Sequence, residues 1–375
     1  MKEAIDLFCG AGGTSTGLKR AGFDVKAAVD NSDEEIETYR HNHGESEAIK
    51  ADIKELEAED FDTQNPFLVA GSPPCQVFSN AKSHGDKKAD EKYLYKEMLR
   101  IVGDLQPRFV LMENVRGMEK MEKQIQRDFD AQGFASTKVV LNAKDFGVPQ
   151  KRERLFFLGI NKDYFNGGSS MALSRLKTNI LKKKQSKEKP LKSIFWGLRE
   201  LEPRKEKLAT DKESEKTGFT EDELIADDSE PNDYILDINQ GELPEKVYNH
   251  KSRYHNERDR KIYRKLPEGA NAEHESIQDI MPYKLGSFVD KYYKLETDAP
   301  CRTITAHMDK DCNTYIHPLE DRGLTPREAA RAQSFPDDYQ FKGTFTQWYR
   351  QIGNAVPPIL AENLAQALVE TNSEL

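Results

Sequence analysis

The sequence predicts an α/β fold: a mixed, mostly parallel sheet with helices on both faces, joined to a smaller, irregular and charge-rich region. Three observations predict it. Over the first 160 residues, short apolar runs alternate with helical patterns at the spacing of β-α-β units. From about residue 161 to 320 the alternation disappears and blocks of like charge replace it. Near residue 324 order returns and holds to a last amphipathic stretch at 358–368.

The elements follow in order. The mostly apolar runs 4–8, 25–29, 67–70, 109–112 and 155–160 read as strands, with 138–142 as another. Residues 14–21, 33–41, 91–105 and 119–132 carry the helical patterns between them. Gly167-Gly168-Ser169-Ser170 reads as a hinge, and the polar stretch 209–232 as a mobile loop. Thr325 suits a helix cap, with Pro326 at the first helical position and Glu328 three residues on. No internal repeat is visible. The expected organisation is a catalytic segment 1–164, an inserted segment 165–320, and a segment 321–375 that completes the first.

Composition narrows the function classes. A hydrophobic content of 37% with 32% charged residues describes a soluble globular protein. No apolar run approaches the ~18 residues of a membrane span. The start, Met1 to Asp6, carries acids where a signal peptide is basic and then apolar. Cys9, Cys75, Cys301 and Cys312 make neither a disulfide framework nor a C-x-x-C metal pair. The expectation is a cytoplasmic, reduced protein with no bound metal. A net charge of −9 argues at first against a nucleic-acid partner, but the charge is unevenly placed. Residues 180–208 hold ten Lys or Arg against four Glu, and 246–265 hold eight basic residues against two acidic ones. Ten acidic side chains crowd 211–233 between them.

The motifs fall at strand ends, where sheets of this class bind ligands. Gly71-Ser72-Pro73-Pro74-Cys75-Gln76 follows an apolar run, and its two prolines stiffen the backbone that presents one thiol. Asp6-Leu7-Phe8-Cys9-Gly10-Ala11-Gly12-Gly13 leads from a strand through a glycine turn into a helix, where backbone N–H groups can approach a ligand. Its spacing is not G-x-G-x-x-G. Asp30, twenty residues after Gly10, suits ribose hydroxyls, and Asp52, at the end of a third strand, suits an adenine amino group. Together they fit a nucleoside cofactor without phosphates at the loop, such as S-adenosylmethionine. Glu113-Asn114-Val115 ends another strand, with Glu113 either a buried ion-pair partner or a general acid. Arg152 and Arg154, two apart on an incipient strand, share a face that suits a planar carbonyl or a phosphate.

In order and spacing, Asp6–Gly13, Pro73–Gln76, Glu113–Val115, Gln150–Arg154 and Gln351–Pro358 resemble the C5-cytosine methyltransferase family, over residues 4–160 and about 300–368. The resemblance implies a Rossmann-like S-adenosylmethionine-dependent methyltransferase fold and a catalytic set of Cys75, Glu113, Arg152 and Arg154. Cys75 would attack C6 of a cytosine flipped from the duplex, and Glu113 would bond N3. Arg154 would contact O2, and Arg152 would steady the thiolate and a phosphate. Phe8, Gly10, Gly12, Asp30, Asn31, Asp52, Ile53, Pro74, Leu94, Asn354 and Val356 match the cofactor pocket. Asn31 departs from relatives that carry an aromatic for stacking on adenine.

The loop 77–92 matches a mobile loop that closes over the base, with Ser79 and Ser83 near phosphate. Residues 165–320 match the target-recognition domain, in which Arg253, Tyr254 and Arg258, with His255, Asn256 and Lys284, are candidate DNA contacts. Arg322–Phe335 matches a motif that supports that domain. The expected partners are double-stranded DNA and a restriction endonuclease acting separately, with the enzyme itself a monomer away from membranes. A tRNA-modifying branch is the nearest rival, but its late Cys-Phe-Thr signature has no counterpart at Cys301-Arg302-Thr303 or Cys312-Asn313. A non-catalytic DNA-binding relative is expected to lack the cysteine or the glutamate, and both are present.

Overall fold

The computed structural model describes residues 2–74, 93–165, 167–207, 212–225, 230–281, 286, 289–310 and 312–374. Two compact units emerge. The first comprises Met1–Phe146, Arg152–Ser186 and Val356–Leu375; the second comprises Gly147–Lys151 and Lys187–Ala355. Among the described residues the strands are β1 (Lys2–Leu7), β2 (Phe23–Asp30), β3 (Glu47–Lys50), β4 (Leu68–Gly71), β5 (Phe109–Asn114), β6 (Phe134–Asn142), β7 (Glu153–Asn161), β8 (Gly218–Glu223) and β9 (Lys246–Lys251). The α-helices are α1 (Gly13–Arg20), α2 (Asp33–Asn42), α3 (Leu94–Leu105), α4 (Glu122–Ala131), α5 (Ser169–Lys182), α6 (Asp233–Ile238), α7 (Glu257–Lys265), α8 (Pro326–Ala332), α9 (Phe345–Asn354) and α10 (Pro358–Ser373).

In the first unit seven strands form one sheet in the order β3-β2-β1-β4-β5-β7-β6. The pairings from β3 to β5 are parallel, and β7 runs antiparallel to both β5 and β6. This is the mixed, mostly parallel sheet expected. Helices cover both faces of the central strands, so these read as unbroken apolar runs: Leu68-Val69-Ala70 and Phe109-Val110-Leu111-Met112 are all buried. Ile5, Leu7, Val69, Met98, Val102, Val110 and Phe157 belong to its main core.

Two glycines set close approaches. A Cβ on Gly71 would lie 2.8 Å from Met98 Sδ and 2.9 Å from the Leu7 carbonyl, so only glycine lets β4 end against β1. A Cβ on Gly17 would lie 2.4 Å from the Pro358 carbonyl, which seats α1 on α10.

The structure corrects two expectations about the middle of the chain. Gly168 is the N-cap of α5 rather than part of a hinge, and Ala172, Leu176 and Ile180, four apart, give that helix its buried stripe. Of the segment read as a mobile loop, residues 218–223 form β8, paired antiparallel with β9. Residues 208–211 and 226–229 lie outside the described residues. The expected helix over 119–132 divides into a 3-10 turn, Arg116–Met121, followed by α4.

The second unit has a polar interior built on α8. The capping box forms as predicted: the Glu328 amide donates to Thr325 Oγ1 at 3.2 Å and the Thr325 amide to Glu328 Oε2 at 2.7 Å. Three buried arginines hold the surroundings. Arg322 pairs with both oxygens of Glu328, at 2.8 and 2.7 Å, and with Glu320. Arg331 pairs bidentately with Asp337, at 2.6 and 2.9 Å, and Arg327 donates to the carbonyls of Tyr248, Pro336 and Tyr339. His317, Glu320 and Glu328 are near enough to share a cation, and the Arg322 guanidinium supplies that charge. Among the described residues no helix is long and apolar enough to cross a membrane.

Candidate active site

The glycine turn begins at the carboxyl end of β1. Phe8 takes φ 57°, unusual for a side-chain-bearing residue, and Gly10 and Gly12 follow at φ 51° and 88°. Gly12 caps α1 in the left-handed region, and the Cys9 amide stays tied to the Val29 carbonyl of β2 at 2.9 Å. The turn therefore folds back over the end of the neighbouring strand. There Asp30 accepts from the Gly10 amide at 2.9 Å through Oδ2 and from the Ser32 amide at 3.0 Å through Oδ1. Burial raises the Asp30 carboxyl above its ordinary value, and these amide bonds oppose that rise.

Beneath the turn lies a relay that the motifs did not reveal. Tyr39 of α2 donates to Ser15 Oγ at 2.9 Å, and Ser15 donates to Asp6 Oδ2 at 2.6 Å. Asp6 is 1% exposed, and burial pushes its carboxyl up to about 7, with Asp30 adding like charge. The sequence signal was present: an acid near the end of an otherwise apolar strand needs a buried partner.

At the next strand ends the structure joins three of the motifs. Asn114, buried at the end of β5, donates through Nδ2 to the Pro73 carbonyl at 2.9 Å and accepts from the Val115 amide at 2.8 Å. It thus holds the backbone that leads toward Cys75. Glu113 pairs with Arg154, Nε to Oε1 at 2.9 Å, with the two side chains 13% and 15% exposed. The β5–β7 register explains the pair: Glu113 stands opposite Phe156, and Arg154 lies two residues from Phe156 on the same face. Glu113 is therefore an ion-pair partner in this structure, one of the two expected readings.

Arg152 is fully buried just before β7, so only Arg154 belongs to the strand. Its backbone is bracketed by Asn142 Oδ1 (3.0 Å) and the Ala143 amide (2.9 Å). A small recess adjoins Glu113 and is also lined by Thr14, Gly71, Ser72, Leu111, Phe156, Val356 and Leu364.

The remaining expected positions fall as follows. Ile53 is buried, Pro74 and Leu94 are half-buried, and Asn31 and Asp52 are exposed. Asp52 caps the 3-10 turn Ile53–Glu55 through the Lys54 amide, at 3.1 Å. Asn354 ends α9 in the second unit, exposed, whereas Val356 belongs to the first.

Cys75, Ser79, Ser83 and Lys284 lie outside the described residues. Arg258 is exposed and Tyr254 half-buried. Arg253 donates to the carbonyls of Met308, Asp309 and Lys310 and so braces that turn. Two further candidate DNA contacts are structural. His255 is buried and accepts the Gly323 amide at 3.1 Å, and Asn256 caps α7 through the Asp259 amide. Burial drives the His255 imidazole down to about 3, which removes the charge a phosphate contact would use.

Residues 3–370 match the family model of the C-5 cytosine-specific DNA methylases. The chain is 31% identical to the Type II methyltransferase M.DdeI of Desulfomicrobium norvegicum, across 97% of its own length and 88% of that protein. It is 28% identical to the Type II methyltransferase M.AgeI of Thalassovita gelatinovora, across 98% and 99% respectively. Among solved structures, an E. coli prophage protein described as a DNA modification methyltransferase matches with a TM-score of 0.75 at 25% identity, over all of both chains.

Proposed function

The chain belongs to the C-5 cytosine-specific DNA methylases, enzymes of the restriction-modification type, and from that premise we propose the following division of labour for its own residues. The observation that carries it is the Glu113–Arg154 pair beside a recess at the carboxyl ends of β4 and β5. Asn114 holds the Pro73 carbonyl at the same strand ends. Cys75, two residues beyond Pro73, adds as a thiolate to C6 of a cytosine flipped out of duplex DNA. Glu113, in its protonated form and released from Arg154, donates its proton to N3 as the ring accepts electrons, and Arg154 contacts O2. Arg152, two residues before Arg154, lowers the cost of the thiolate. Addition at C6 makes C5 nucleophilic. After C5 is methylated, loss of its proton and expulsion of the Cys75 sulfur restore the aromatic ring.

S-adenosyl-L-methionine, when bound, supplies the methyl group. The residues present fit it. Asp30 is a half-buried carboxylate oriented by the amides of Gly10, Ser32 and Asn31, and a carboxylate with about four acceptor sites can still accept from a ribose hydroxyl. Gly10 and Gly12 leave two positions of the turn without side chains, while Phe8, Ile53, Pro74, Leu94 and Val356 supply apolar surface. Asp52, Asn31 and Asn354 are exposed donors and acceptors for the adenosine and methionine ends.

The second unit, which takes in most of residues 165–320 and also 321–355, recognises DNA in this reading, and the first unit, with 165–186 and only 356–375 of the expected closing segment 321–375, contributes the catalytic part. Lys205, Lys207, Arg258 and Lys261 are exposed there and available to phosphates, with Tyr254 beside them. Ser79 and Ser83 contact phosphate near the flipped base. Incubation with labelled S-adenosyl-L-methionine and mixed-sequence DNA tests the proposal: label is expected at cytosine C5, and Cys75→Ser is expected to abolish transfer with cofactor affinity retained. An active Cys75→Ser enzyme rejects the nucleophile assignment. A companion restriction endonuclease is tested by finding a nuclease blocked at the sites this enzyme modifies.

A further inference from the structure

The chain passes between its two units at Phe146/Gly147, Lys151/Arg152, Ser186/Lys187 and Ala355/Val356. Two of these passages lead straight into proposed site residues: Arg152 and Arg154 after the second, Val356 after the fourth. Within the second unit, the segments just before both are joined by one chain of buried amides. Gln150 and Gln333 are each 0% exposed. Gln150 Nε2 donates to Gln333 Oε1 at 3.0 Å and to the Ala332 carbonyl at 3.1 Å, and its Oε1 accepts the Ile304 amide at 2.8 Å. Gln333 Nε2 donates onward to the carbonyls of Ile352, at 2.7 Å, and Ala355, at 3.4 Å.

Backbone bonds already hold the first segment. The Cys301 amide donates to the Pro149 carbonyl at 2.9 Å, the Lys151 amide to the Cys301 carbonyl at 2.8 Å, and Thr303 Oγ1 to the Lys151 carbonyl at 2.6 Å. What the side chains add is a directional link between segments far apart in sequence. These bonds have buried backbone groups as partners, so losing one costs about 1–3 kcal/mol, and the linked amides admit one geometry. We infer that Gln150 and Gln333 are positioning residues for methyl transfer. Their amide chain fixes residues 147–151, which lead into Arg152 and Arg154, against the segment that leads into Val356. The inference rests on the proposed roles of those residues. A misplacement of about 1 Å between reacting groups costs on the order of 10²-fold in rate.

Gln150→Leu and Gln333→Leu are each expected to lower kcat at least tenfold, with KM for DNA within twofold of wild type. The double variant is expected to be no slower than the slower single one, because both break the same chain. Asn239→Ala, which removes a buried structural amide bonded to Asp337, is the control and should lower Tm while leaving kcat unchanged. Thr303→Val, which deletes one partly exposed bond to the same segment, serves if the leucine variants do not fold and should lower kcat about threefold. Unchanged kcat in the folded variants, or effects that multiply in the double variant, would overturn the inference. Hydrogen exchange separates it from the activity itself: Gln150→Leu should speed exchange at residues 352–355. No change there overturns the relay whether or not wild type transfers methyl groups, and faster exchange in an inactive wild type rejects the activity alone.

Discussion

Asp6→Asn should stabilise this protein at neutral pH and flatten its pH dependence. The Asp6 carboxyl titrates near its ordinary 3.8 in the unfolded chain, and burial raises it to about 7 in the folded one. Between those values the folded state holds a proton that the unfolded state has lost, so stability falls as pH rises from about 4 to about 7 and stays lower above. At about 1.4 kcal/mol per unit of pKa, the full span is worth about 4 kcal/mol. Asparagine carries no such titration, and its side-chain oxygen still accepts the Ser15 hydroxyl that bonds Asp6 Oδ2. The variant should therefore match wild type near pH 4 and exceed it by up to about 4 kcal/mol at pH 8. Both tryptophans, Trp196 and Trp348, belong to the second unit, so fluorescence would miss the effect. Urea titration followed by hydrogen exchange of peptides spanning β1 and α1 reads it directly. A difference between variant and wild type that stays constant from pH 4 to 8 would refute the assignment of a buried, proton-binding Asp6.

Three further outcomes are expected. Glu113→Gln should cut the methyl-transfer rate by about 10²–10⁴-fold while the protein stays folded, and a rate within threefold of wild type would remove Glu113 from the chemistry. Arg322→Met leaves Glu328 buried without its bidentate partner and should destabilise the second unit by about 3–5 kcal/mol; tryptophan fluorescence during urea unfolding measures it, and a loss below ~1 kcal/mol contradicts the pairing. Gly17→Ala pushes a methyl group to within 2.4 Å of the Pro358 carbonyl, where backbone must move, and should cost about 1–3 kcal/mol in Tm-derived stability of the first unit.

The strand-helix alternation was legible because a buried parallel sheet demands unbroken apolar runs, and Phe109-Val110-Leu111-Met112 is one. The glycine turn was legible for a related reason: Gly10 and Gly12 occupy left-handed conformations that side chains disfavour. Thr325-Pro326 followed by Glu328 announced the start of α8, since a capping box is a local contract between near neighbours. The helix α5 was not read, because two glycines ahead of it resemble a hinge until its buried stripe is seen against a neighbour.

Sequence by itself determined the class of sheet, the strand ends at which the motifs sit, and the family resemblance that those motifs carry. Tertiary structure alone decided the fate of the charges. Arg253 and Arg258 look alike in one basic block, yet Arg253 is committed to three carbonyls and Arg258 is exposed. Arg322, Arg327 and Arg331 fall in a stretch matched only to a supporting motif, and all three are fully buried. Asp6 reads as a strand residue and sits under the glycine turn with a proton at stake. The physical reason is common to all: local sequence sets backbone propensity and apolar periodicity, whereas a charged group is buried only if distant residues bring it a partner.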